Sequence, residues 1–103
     1  MHNPGLYDQY RKLTGNDTEV IDFLERRGEI QPFLEAAYTM VDASVAKYIE
    51  RGYTSLTVNF GCTGGHHRSV YSASHMARHL KEKFAGRVTV ILEHRELGII
   101  QNL

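Results

Sequence analysis

The stretch GCTGGHHRS, from Gly61 to Ser69, concentrates three glycines, one cysteine, two adjacent histidines and an arginine. Glycines let a backbone turn sharply and approach a bound group closely. Hydroxyl and imidazole groups donate hydrogen bonds to anionic oxygens, and a guanidinium can donate two in parallel. These residue types in one short stretch predict a binding site for an anion such as phosphate.

Eight residues form the predicted anion site: Cys62, Thr63, Gly64, Gly65, His66, His67, Arg68 and Ser69. We expect the backbone amides of Gly64 and Gly65 to hold a phosphate and Arg68 to clamp it. The neighbouring hydroxyls and imidazoles would complete the shell. The alternative is a tight turn whose polar groups are merely solvated. The stretch has neither the Walker P-loop spacing nor the G-x-G-x-x-G pattern.

A catalytic interpretation of the same stretch is also open. Cys62 and Arg68 stand in a Cys-x5-Arg-Ser arrangement that resembles the phosphate loop of protein tyrosine phosphatases. A helix N-terminus and nearby cations favour the nucleophilic thiolate. However, Gly61 occupies the place where most of those enzymes have histidine, and the sequence places no general acid. We therefore predict no enzymatic activity and no catalytic residue, with a cysteine-dependent phosphatase as the alternative.

Secondary-structure patterns predict where these residues lie. Helical periodicity and glycine stops alternate with β-rich apolar runs, and the tail receives no assignment. The predicted elements are a helix over 16–28, a helix over 29–51, a strand over 53–60, a helix over 69–84 and a strand over 87–94.

The order strand, glycine-rich turn, helix, strand predicts a βαβ unit with a right-handed crossover. The expected fold is α/β: a single small domain over residues 1–103, with a parallel sheet flanked by helices. Ligands of open α/β sheets bind at the carboxyl ends of strands, and helix N-termini attract anions. The 61–69 stretch satisfies both conditions in this fold.

Composition narrows the class of partner. Twelve basic and twelve acidic residues give a formal net charge of zero, which argues against a general nucleic-acid or anionic-membrane binder. The single cysteine excludes an internal disulfide and predicts a cytoplasmic protein. No apolar run approaches the roughly 20 residues of a membrane span. His75 and His79 are four residues apart, but no third ligand suggests itself, so we expect no metal and no cofactor.

The longer string GCTGGHHRSVY resembles the signature of the C-terminal domain of the RapZ family, bacterial nucleotide-binding proteins known as RNase adapters. The segments NPGLYDQYRKLTGND, FLERRGEIQPFL, YTSLTVNF and HREL are similar to other parts of that domain, so the resemblance covers most of the chain. It implies binding of glucosamine-6-phosphate and of small regulatory RNA.

The resemblance also implies roles for particular residues. Thr63, Gly64, His67 and Arg68 would line the anion site. His94 and Arg95 would follow the last strand and lie beside that site.

Two departures from the family pattern affect the expected partners. Gly5 stands where family members often have a pocket histidine, and the tail GIIQNL lacks the basic charge that the family uses on RNA. We therefore predict a phosphorylated small molecule as the ligand and RNA as a disfavoured alternative. The family's kinase-like N-terminal domain is not in the sequence, so we expect no ATP hydrolysis. The chain would be a stand-alone module or part of a longer protein, and it could form a homo-oligomer.

Overall fold

A computed structural model describes residues 13–61, 67–94 and 97–103. Within these residues three helices precede a two-stranded sheet, which confirms the α/β class. The elements are α1 (Thr18–Arg27), α2 (Ile30–Arg51), α3 (Arg68–Lys83), β1 (Ile91–His94) and β2 (Ile99–Asn102). None of the helices in the described ranges is both long enough and apolar enough to cross a membrane.

Glycines end the first two helices as the sequence predicts. Gly28 and Gly52 both adopt the left-handed conformation, with φ of 72° and 70°. Their N–H groups donate to carbonyls of the last helical turn, at 3.2 Å in each case. This conformation is easy for glycine and costly for other residues, so the two positions set where α1 and α2 stop.

The predicted parallel sheet and its βαβ unit are wrong. β1 pairs antiparallel with β2, from Ile91 opposite Asn102 to His94 opposite Ile99. The 53–60 segment forms no strand, and its side chains are mostly exposed. The second predicted strand is real only over its last four residues, 91–94, and the tail that carried no assignment supplies β2.

A local partner explains this outcome. Gly98 has φ of 68°, a left-handed conformation that suits a tight turn just before β2. The chain can therefore pair β1 with the next segment at a small loop-closure cost. Pairing β1 with the distant 53–60 segment would close a much longer loop. The β-propensity of that segment is a weaker determinant than its tertiary context.

The core joins all three helices. Val20, Phe23 and Leu24 of α1 pack with Ile30 and Leu34 of α2 and with Tyr71 of α3; all six are at most 3 % exposed.

Tyr71 brings a hydroxyl into this core, where it donates to Glu25 Oε2 at 2.8 Å and accepts from Gln31 Nε2 at 3.4 Å. Burial, and then the carboxylate of Glu25, raises the pKa of Tyr71. The hydroxyl therefore stays protonated and binds the first turns of α3 to α1 and α2.

A turn over residues 14–17, called the 14–17 turn below, packs on the start of α3. Its backbone is closed by Thr14 N–H donating to Asp17 Oδ2 at 2.7 Å and by Asp17 N–H donating to Thr14 O at 3.0 Å. Gly15 is buried within it. A Cβ at Gly15 would overlap the carbonyl oxygen of His67 and the amide nitrogen of Tyr71. Only glycine fits this close approach.

We predict that Gly15→Ala lowers the free energy of unfolding by about 3 kcal/mol, since the added methyl must displace backbone rather than a mobile side chain. Gly61→Ala is the matched control, because a Cβ there meets no atom of the described residues within 4 Å. Urea unfolding followed by circular dichroism measures both. Equal stabilities of the two variants would show that the packing described here is wrong.

Candidate functional site

The structure describes three of the eight residues of the predicted anion site. His67 immediately precedes α3, Arg68 is its first residue and Ser69 its second. His67 and Ser69 are buried, at 5 % and 9 % exposure. The other five, Cys62, Thr63, Gly64, Gly65 and His66, lie outside the described residues, as does Arg95.

The start of α3 has the features of an anion-binding helix terminus. The side chain of the N-cap residue, His67, makes no capping hydrogen bond, and the first turn contains no acidic residue. The first N–H groups of a helix have no partner within the helix and carry roughly half a positive charge. The 16 residues of α3 make it long enough for this dipole to develop. The terminus therefore favours a negatively charged group.

Arg68 adds a cation at the same place. Its Nε is buried and has no hydrogen-bond partner among the described residues. A buried donor without a partner costs about 1–3 kcal/mol, and more when it is charged. An anionic oxygen bound at this position would remove that cost. This is the one buried side-chain polar atom in the described ranges that lacks a partner.

His94 lies at the end of β1 and is 5 % exposed. Its Nε2 is 3.3 Å from Ser74 Oγ, and the Ser74 hydroxyl donates to Asn16 Oδ1 at 3.0 Å. A hydroxyl has one proton, so with Asn16 as the acceptor the ring must donate through Nε2–H. Burial lowers the pKa of His94, which favours this neutral ring. The resemblance placed His94 beside the site; the structure shows it bonded to the second turn of α3.

Sequence reasoning did not single out Asn16 or Ser74 as functional. Asn16 is of a residue type that commonly caps helices, and Ser74 is one of several small residues on α3. The available signal was the LTGND segment, Leu13 to Asp17, which contributes to the family resemblance. Ser74, which donates to the side chain of Asn16, is 58 residues away in sequence, so no local pattern reveals this contact.

His75 and His79, the pair considered for a metal, are engaged in other contacts. His79 Nε2 lies 2.8 Å and 3.0 Å from the two carboxylate oxygens of Asp42, and the ring stacks on Tyr38 with centroids 4.1 Å apart. His75 Nδ1 bonds the carbonyl of Tyr71 at 3.0 Å. In the part of the chain that the structure describes, no group of three or more metal-ligating side chains occurs.

Asp42 connects α2 to α3. Lys83 Nζ donates to Asp42 Oδ2 at 2.9 Å, beside the contact with His79. Partial burial works to raise the pKa of Asp42, but hydrogen bonds and charge from Lys83 and His79 outweigh it and hold that pKa below its ordinary value. The carboxylate is thus ionised at neutral pH and stabilises the packing of α3.

A concave region lies on another face of α3. A cavity of about 410 Å³ is bounded by this helix, by the 53–60 segment and by the 87–93 segment. Val45, Met76 and Leu80 are among its lining residues. The lining contains neither the start of α3 nor the unpartnered nitrogen of Arg68. The α3 terminus is therefore the better candidate for binding a charged ligand.

Comparison with known proteins agrees with the resemblance. The sequence model described as the RapZ C-terminal domain matches residues 1–98, so the chain belongs to that family. A nucleotide-binding protein of Xylella fastidiosa is 41 % identical over 95 residues, which cover 92 % of this chain and 32 % of the relative. One of Acidithiobacillus ferrooxidans is 39 % identical over 102 residues, covering 98 % of this chain and 33 % of the relative.

A nucleotide-binding protein of Lactobacillus acidophilus is 37 % identical over 96 residues, covering 93 % of this chain and 31 % of the relative. The chain thus spans about a third of the length of these curated relatives. No solved structure matches the chain.

We predict that His94 makes folding sensitive to acid. Burial lowers its pKa in the fold, so below the ordinary histidine value, about 6.5, the unfolded chain binds more protons than the folded one. The stability that the neutral ring provides is complete above that pH and decreases as the pH falls toward the pKa of the folded state.

The test compares the parent with His94→Gln, which keeps an N–H donor for Ser74 but does not titrate. Urea unfolding between pH 8 and pH 5 should show a smaller loss of stability in the variant. Parallel curves for the two proteins would contradict the assignment.

Proposed function

We propose that this domain is a regulatory binding module that holds the phosphate group of a small phosphorylated metabolite at the start of α3. The observation that supports it most is the buried Nε of Arg68, which has no hydrogen-bond partner among the described residues. Membership in the RapZ C-terminal domain family and the nucleotide-binding names of the relatives also support a regulatory binding role. No catalytic step is part of this proposal.

The phosphate would be bound by three kinds of donor. The first-turn amides of α3 supply N–H groups, and Arg68 supplies its guanidinium. The preceding glycine-rich stretch adds the amides of Gly64 and Gly65, and the hydroxyls of Thr63 and Ser69 complete the shell. Charge-assisted hydrogen bonds of this type contribute roughly 1.5–3 kcal/mol each before the costs of binding.

The remainder of the ligand is better explained by a sugar than by a nucleobase. Bases are commonly held by stacking on exposed aromatic side chains. Tyr71, the aromatic side chain in the first turns of α3, is 0 % exposed and stacks on His75. Among the described residues, Tyr71 therefore offers a base no stacking surface at the start of this helix. Glucosamine-6-phosphate, the ligand implied by the family resemblance, is the first candidate to test.

We predict that Arg68→Ala raises the Kd for glucosamine-6-phosphate by about tenfold to a hundredfold, as expected for a lost charge-assisted hydrogen bond. Arg68→Lys should give an intermediate Kd, because lysine keeps the charge but loses the planar fork. Arg78→Ala is the matched control: it removes the same charge from an exposed position on the same helix. Isothermal titration calorimetry measures all four proteins.

Two results would contradict the proposal: unchanged binding by Arg68→Ala, or an equal loss in Arg78→Ala, which would indicate only long-range charge. Titrations with inorganic phosphate and with a nucleoside monophosphate establish whether the sugar or the base contributes to affinity. The Cys62→Ser variant should bind like the parent, since no thiolate chemistry is involved.

A further inference from the structure

The 14–17 turn contacts α3 at two separate points. Gly15 approaches the carbonyl of His67 and the amide of Tyr71 so closely that no side chain fits between them. These two groups form one of the first hydrogen bonds of α3, at 3.0 Å. The next residue, Asn16, accepts the hydroxyl of Ser74, one turn further along the helix. Because these two contacts lie at different positions along the helix axis, they restrict both the translation and the rotation of the helix start.

Ser74 extends this connection to the sheet. It is 6 % exposed, and its Oγ lies 3.3 Å from Nε2 of His94, the last residue of β1. The 14–17 turn, α3 and β1 therefore meet through one continuous set of hydrogen bonds. The proposed phosphate site includes His67, Arg68 and Ser69 and thus shares its backbone with this junction.

We propose that Asn16 and Ser74 are positioning residues of the phosphate site: together with Gly15 they fix the start of α3 so that its amides and Arg68 are held in binding geometry before the ligand arrives. This inference rests on the proposed function. It adds the 14–17 turn, in which Asn16 lies 45 residues before Gly61, and assigns that turn an effect on affinity without contact to the ligand.

Pre-organisation is the physical basis of that effect. Hydrogen bonds weaken steeply as donor–acceptor distance and angle depart from their optimum. A helix start that can shift would have to be ordered by the ligand, and that ordering subtracts from the affinity. With the Asn16–Ser74 bond intact, the protein has already ordered these donors during folding.

The test is a double-mutant cycle on Asn16→Ala and Ser74→Ala, with glucosamine-6-phosphate as the probe. Calorimetry is carried out at 15 °C, where circular dichroism must show every variant fully folded, so that lowered stability by itself cannot change the Kd. Each single variant should raise the Kd about fivefold. The double variant should bind about as weakly as Ser74→Ala alone, since Asn16→Ala removes a hydrogen bond that Ser74→Ala has already removed.

Thr39→Ala is the control, because it removes a hydroxyl that bonds the carbonyl of Glu35 on an exposed part of α2, at 3.1 Å. It should leave the Kd unchanged.

Each remaining outcome overturns a specific statement. If Arg68→Ala loses binding while Asn16→Ala and Ser74→Ala bind like the parent, the positioning role is wrong and the proposed function stands. If the losses of binding free energy in the two single variants add up in the double variant, the two residues act independently and the shared bond does not position the site. A parent chain that binds no phosphate compound would refute the proposed function, and this inference with it.

Discussion

The close approach of the Gly15 backbone to the first turn of α3 is the constraint on which the rest of the structure depends. A glycine permits it, and any Cβ would push the helix start away. The approach brings Asn16 to Ser74 and lets Tyr71 reach the core between α1 and α2. The position of α3, and therefore of its amino terminus, follows from its packing against the 14–17 turn on one side and against α1 and α2 on the other.

The position of α3 determines which charged groups lie at its amino terminus. A helix N-terminus attracts anions in any protein, but here a buried guanidinium nitrogen that has no partner among the described residues lies at the first helical residue. Burial of an unsatisfied charged donor is costly, and proteins tend to tolerate such groups at binding sites. An anion bound to Arg68 at the proposed site would therefore also stabilise the fold.

Local sequence signals predicted much of this protein, and long-range contacts account for what they missed. The stops at Gly28 and Gly52 and the periodicity of α3 are local, and all three appear in the structure. The 53–60 segment has the composition of a buried strand, yet β1 pairs with the neighbouring tail, because a turn at Gly98 makes that partner available at low entropic cost. The link between Asn16 and Ser74 depends on tertiary packing that no periodicity encodes. Residue types in the 61–69 stretch predict a phosphate site, whereas the contacts that hold the start of α3 are seen only in the structure.

The most direct measurement of the central claim is a two-dimensional nitrogen–proton NMR titration of the domain with glucosamine-6-phosphate. The account predicts that the largest shifts occur at the amides of residues 67–70 and at the side-chain Nε–H of Arg68, as this buried donor gains an anionic partner. Shifts confined to the residues around the cavity beside the 53–60 segment, or an unshifted Arg68 Nε–H at saturation, would contradict it.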